Sequence, residues 1–213
     1  MIRKLKLLGL ALVAVLAMTA MVASAASAAA FTSSANTTNL TASQETKHNL
    51  RVTNGEWSCG SLEFTGHMAS NTVTEVEITP KYTECHTFFA AVTVAAKVTG
   101  FGHYEGEAKS CAYKVDADGT IDLVCAAGKE VTIDAATCIV HIPPQNNLGI
   151  VTYQDLGNNL KATINITGIT TNHTKGFGCL LTSGGHASTG SLTGSSLVSG
   201  KDAGGAAVNL GLE

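Results

Sequence analysis

The chain has 213 residues, 16 acidic and 13 basic, and a formal net charge of −3. Setting aside Arg3, Lys4 and Lys6 at the start leaves ten basic side chains against sixteen acidic ones, a balance of about −6 without any basic run. That balance excludes the cationic surface that nucleic acid or an anionic lipid layer would need as a partner.

MIRKLK is followed by an uncharged apolar run from Leu7 to Ala23, then by Ala-Ser-Ala at residues 23–25 and again at 26–28. A charged start, an apolar middle and small residues at the exit predict a secretory signal peptide over 1–30, cleaved between Ala25 and Ala30. The run is marginal as an uncleaved anchor, and no cysteine follows it to carry a lipid. No second apolar segment of the mature chain is long enough to span a bilayer as a helix. The remaining 31–213 suits one domain, with a secreted or cell-envelope location.

All six cysteines, Cys59, Cys85, Cys111, Cys125, Cys138 and Cys179, fall in the exported part. An even number in an oxidising compartment reads as a disulfide framework, which leaves no thiol free as a nucleophile.

In chain order, the Thr/Ser/Asn-rich lead from Phe31 to Thr46 reads as a loose arm or a first edge strand. HNLRVTNGEWSC then sets Asn54-Gly55 between β-prone runs, predicting a hairpin with Val52 opposite Trp57 and Leu50 opposite Cys59. Leu62 and Phe64 have the opposite parity to Cys59, so Gly60 is expected at a face-switching bulge. NTVTEVEITPKYTEC alternates as a strand, with Val76 and Ile78 inward, Glu75 and Glu77 on the solvent face, and Pro80 at an end or edge. HTFFAAVTVAAKV is expected as one buried strand.

CAYKVDADGTIDLVC carries Asp116, Asp118 and Asp122 around Gly119. With Gly119 at the sixth position of a calcium loop, the first falls on Lys114 and the twelfth on Cys125, which rules an EF-hand out. A three-residue loop of Ala117-Asp118-Gly119 instead sets Val115 opposite Ile121, Tyr113 opposite Leu123 and Cys111 opposite Cys125. Those six share one face, and the other face is mostly polar. The aspartates then belong to the turn and solvent face of a hairpin clamped by a disulfide. KEVTIDAATCIVHIPP predicts short strands at Lys129–Asp134 and Cys138–Ile142, with Cys138, Val140 and Ile142 on one side. LGIVTYQDL, NLKATINITGITT, Ser191–Val198 and Ala206–Leu212 complete the pattern. Strands separated by turns predict an all-β, antiparallel two-sheet sandwich, with a barrel as the alternative.

These blocks (the Ala-rich signal, TNGEWSC, ITPKYTEC, SCAYKV, CIVHIPPQNNLGIVTY and GSLTGSSLVSG) resemble a family of uncharacterised secreted six-cysteine all-β proteins of actinobacterial (high-GC Gram-positive) genomes. The resemblance implies export, the fold class and, if its blocks are sequential units, pairings Cys59–Cys85 and Cys138–Cys179 beside Cys111–Cys125. It implies no catalytic, cofactor or metal residues.

Seven scattered histidines show no metal-ligand spacing, no Gly-x-Ser-x-Gly elbow occurs, and GFGHYEG misses the dinucleotide pattern. Sequons begin at Asn36, Asn39, Asn165 and Asn172, a number expected by chance in so Thr- and Asn-rich a chain. The expected function is a non-enzymatic extracellular or cell-envelope β module with a structural or adhesive role. The alternative is a glycan- or metal-binding module, with Trp57, Tyr104 and the Asp116–Asp122 turn as its candidates and a cell-wall or extracellular glycan as partner. A hydrolase site assembled across strands is the third class considered, since triads are defined by geometry rather than by order in the chain.

Overall fold

In this computed structural model the described residues are 29–52, 55–89, 92–101, 110–135, 138–175 and 188–213, and their regular structure is all strand. The order is β1 (Phe31–Ser33), β2 (Thr38–Val52), β3 (Gly55–Met68), β4 (Thr72–Val73), β5 (Glu75–Phe89), β6 (Val92–Thr99), β7 (Cys111–Asp116) and β8 (Thr120–Cys125). It continues with β9 (Val131–Asp134), β10 (Cys138–Ile142), β11 (Gln145–Asp155), β12 (Leu160–Lys175), β13 (Ser188–Lys201), β14 (Ala207–Val208) and β15 (Leu210–Leu212). The signal segment lies almost wholly outside the described residues.

Five of these, β2, β3, β5, β12 and β13, are 14 to 16 residues long and stand side by side in the order β12-β13-β2-β3-β5. The opening between β5 and β12 is filled twice. At one level β7, β8 and β11 bridge it, with β7 on Glu75–Ile78 of β5 and β11 on Leu160–Asn165 of β12. At the other level β6, β9 and β10 do so, with β6 on Cys85–Phe89 and β10 on Asn172–Lys175. Each level is therefore a closed ring of eight antiparallel strands, and around each ring the strands follow one another in chain order. The lower level is the one holding β7, β8 and β11. The expected all-β, disulfide-stapled architecture holds.

A second, small sheet of β15, β1 and β4 covers the lower end. Its Phe31 and Leu210 are buried and line the lower interior, and the Phe31 ring meets Tyr153 edge-on at 5.2 Å.

The long strands change face where the two levels meet. On β3, Trp57 and Cys59 point inward and then Leu62, Phe64 and Met68 do, so the parity slips at Gly60, as the sequence predicts. Directly across, Glu84 of β5 has a φ of +53°, and on β12 the same slip falls at Gly168, φ +84°. A Cβ on Gly60 would stand 2.6 Å from Glu84 Oε2 and 3.1 Å from its Cβ, so a side chain there would make Glu84 move. Pro80, expected at an edge, lies in mid-strand but within the stretch of β5 between its β7 and β6 pairings. That stretch is a local edge, which tolerates the missing N–H.

Two seams between the levels are closed by side chains. On β12, the Gln145 amide donates to the Thr170 carbonyl at 2.9 Å and accepts from the Thr170 amide at 2.7 Å, reproducing a ladder pair where no strand lies. On β5, Phe101 packs 6.0 Å from the Tyr82 ring and 5.4 Å from that of Tyr113.

The hairpin register around Gly119 is the expected one throughout, including Cys111 opposite Cys125, and that disulfide forms. Cys59–Cys85 also forms, across β3 and β5. Cys138 is disulfide-bonded, while the expected partner Cys179 lies outside the described residues. Three expectations change. Of the two readings of the lead segment, a loose arm or a first edge strand, the strand holds but not the edge, because Thr38–Val52 is a full-height strand paired on both sides. Val52 pairs with Gly55 and Leu50 with Trp57, a register two residues tighter than a turn centred on Asn54-Gly55 would set. β2 must match β13 while β3 matches β5, and those ladders outweigh a local turn preference. The His86–Val98 stretch is divided between β5 and β6.

Replacing Gln145 by Ala should lower stability by about 1–2 kcal/mol in urea unfolding, the worth of two partly exposed hydrogen bonds. Faster hydrogen exchange at the Thr170 amide should accompany it. An unchanged midpoint and exchange rate would show that the seam is held elsewhere.

Candidate functional site: the interior of the ring

Inward residues of the lower level, among them Leu40, Phe64, Val76, Ile121, Ile164 and Val198, enclose an apolar cavity of about 80 Å³. A second cavity, of about 50 Å³, lies in the upper level between Leu50, Trp57, Val98, Ile133, Ile169 and Leu192. Tyr113 lines both. Its hydroxyl is 3.5 Å from that of Tyr82, and burial pushes both phenols above their ordinary range. Outward positions of the same strands are polar, for example Thr163, Asn165 and Thr167 on β12 and Asn39 and Thr41 on β2. That polarity is the inverse of a membrane-spanning barrel, which is apolar outside.

A histidine is set deep in this interior: His48 is 2% exposed and lines the upper cavity. A register shift in β2 between Ser43 and Asn49 brings it inward, and Gly194 of β13 makes room for it. A Cβ at Gly194 would fall 2.5 Å from His48 Cδ2. His48 Nε2 is 3.1 Å from Ser196 Oγ, and Nδ1 has no hydrogen-bond partner. Burial lowers its pKa to about 4, with a hydrogen bond to the Ser195 backbone acting in the opposite direction. The ring is neutral at neutral pH.

Trp57, which the sequence favours as a core residue over a glycan platform, is 3% exposed and does belong to the core; inward alternation with Cys59 puts it there. Tyr104 lies outside the described residues. The aspartate turn is internally satisfied: Asp118 accepts from the Thr120 amide at 2.8 Å, which lowers its pKa, and Asp122 accepts from the Asn147 amide at 2.7 Å. Burial comes first in raising Asp116. Among the described residues no group of three or more His, Cys, Asp and Glu side chains is placed to hold a metal ion. Glu75 is paired with Lys114 at 2.6 Å on the outer face.

The sequence does not reveal a chain of hydrogen bonds on the outside of the upper level. Glu130 Oε1 lies 2.6 Å from His141 Nδ1, and His141 Nε2 lies 2.9 Å from Thr174 Oγ1. The order carboxylate, imidazole, hydroxyl is that of a triad. Thr174 is nevertheless exposed on an open strand face, where water is not excluded from a reacting group, and the three residues tie neighbouring strands together from outside. Nothing but the separation of 130, 141 and 174 in the chain hides the arrangement.

His48 sets a pH dependence of stability. Its folded pKa of about 4 is below the ordinary 6.5, so the unfolded chain takes up a proton that the folded chain refuses. Stability should be complete above pH 6.5 and fall as the pH drops toward 4, by about 3 kcal/mol from this group. Burial lowers His173 as well, which adds in the same direction. Urea titrations across that window should show a shallower slope for His48→Gln, and an unaltered slope would remove His48 as the cause.

No protein-family model, curated protein or solved structure matches the chain, so the reading of this interior rests on its geometry.

Proposed function

We propose that the protein is an exported, non-enzymatic β module of the extracellular space or cell envelope, with a structural or adhesive role, and that its ring works as a barrel around one core rather than as a two-sheet sandwich. The observation that carries the reading is the outer face of four adjacent long strands. Thr163, Asn165 and Thr167 of β12, Thr193 of β13, Asn39 and Thr41 of β2 and Thr65 of β3 are all exposed there. Cross-strand register sets Asn165 beside Thr193, and Thr41 beside Thr65. Uncharged hydroxyl and amide groups in rows match the hydrogen-bonding groups of a polysaccharide. Disulfides fit an oxidising compartment, and the N-terminal residues fit a signal peptide. The glycan partner is thus assigned to this face instead of to Trp57. The metal alternative is the weaker reading, since Asp118 and Asp122 each already accept a backbone amide hydrogen bond.

The test is co-sedimentation of the oxidised mature protein with cell-wall material and insoluble polysaccharides, beside a reduced sample. Saturable binding should need intact disulfides and weaken about tenfold or more when Thr163 and Thr193 are both changed to Glu, a loss of about 1.4 kcal/mol. Binding by neither sample would end the adhesive reading.

A further inference from the structure

We propose that the interior of the ring is a binding site for a small, uncharged, mainly apolar molecule carrying one hydroxyl group, which hydrogen-bonds to His48 Nδ1. This goes beyond the role assigned to the outer face and does not depend on it.

Three observations converge. The first is space: two cavities, of about 80 Å³ and 50 Å³, share Tyr113 as a common wall. A cavity of about 150 Å³ takes up benzene, so a guest beside His48, in the cavity of about 50 Å³, is smaller, a molecule of two or three carbons. The second is the orphaned nitrogen. His48 is 2% exposed, faces the upper cavity and holds Ser196 through Nε2, yet Nδ1 has no partner. A buried polar atom left unmatched costs about 1–3 kcal/mol, which a matching guest would recover. The third is the way room is made: at Gly194 any side chain would collide with the His48 ring.

The hydroxyl follows from the chemistry of a neutral imidazole. The Ser195 backbone carbonyl accepts from the ring, and with Nδ1 unpartnered that proton is on Nε2. Nδ1 is then an acceptor and needs a donor, which a hydroxyl supplies and a carbonyl or an ether does not. A charged guest is excluded, since these walls are apolar and offer no counter-ion.

The test titrates ethanol and its isostere propane, both smaller than benzene, into the oxidised protein while following the methyl resonances of Ile133, Ile169 and Leu192. The wild type should bind both, the alcohol more tightly. His48→Phe keeps a planar ring beside Gly194 and removes both nitrogens. It should lose affinity for ethanol about tenfold, the worth of one hydrogen bond, and keep affinity for propane. Val98→Leu guards against a misfolded His48 variant. Val98 lines the same upper cavity, so a larger side chain there should fill the space and weaken both guests. Methyl resonances that neither compound shifts, or ethanol binding that is equal in wild type and His48→Phe, would overturn the proposal.

Discussion

Closure of the ring is the constraint from which the other features follow. In an open sheet an edge strand answers to one neighbour. Here every long strand is hydrogen-bonded on both sides, so its register has to satisfy two ladders together. β2 shows the consequence: its pairing shifts against both β3 and β13 within the same few residues, Ser43 to Asn49. β3 and β5 stay in one register along their whole length only because the slip at Gly60 is matched by Glu84 directly across. A change of face that one strand made alone would break the ring. Made together at one height, such changes become a waist, with a separate set of inward residues above and below.

Filling one opening with two stacked sets of three strands leaves two seams, and each is sealed by the chemistry available locally. The β12 seam faces water, where a side-chain amide can copy a peptide group, and Gln145 does so. The β5 seam faces the core and is packed by rings, Phe101 against Tyr82 and Tyr113. The small terminal sheet serves the same end at the bottom. Ala30 and Glu213 exchange amide hydrogen bonds of 2.8 and 2.9 Å, so the two ends of the described chain close the lower level together. Such pairings are as non-local as a chain of this length allows, which favours slow folding and gives the disulfides something to hold in the meantime.

What could be read from the sequence follows the range of the interactions. The Cys111–Cys125 hairpin was legible to the residue, since turn, face pattern and cysteines all lie within one short stretch. The slip at Gly60 and the inward set Leu160, Ala162, Ile164 and Ile166 were legible from parity alone. The register after Val52 was not, because the neighbours that decide it are β13 and β5, far away in the chain. Thr38–Val52 was hidden for another reason: its lower inward side is Thr38, Leu40 and Ala42, too weak a contrast with Asn39 and Thr41 to mark a buried strand. The two levels, and with them the interior, had no signature at all. Residue patterns describe one strand at a time, and the double filling of one opening is a property of eleven. Trp57 was weighed as core or platform without its surroundings, and only the ring places it inside.

The interior also separates what stability requires from what the chain contains. An apolar residue at 48 would remove both the orphaned nitrogen and the cost of keeping a histidine neutral, and a residue with a side chain at 194 would restrict the unfolded chain more than glycine does. The fold keeps both unfavourable choices at one point, where a β2 register shift, a Gly194 gap and the Ser196 hydroxyl meet. Elsewhere in the ring its compromises are offset nearby: Glu84 by Gly60, the β12 gap by Gln145. Local rules broken without a nearby structural compensation are the pattern expected where a group is held ready for something else. His48 is such a place.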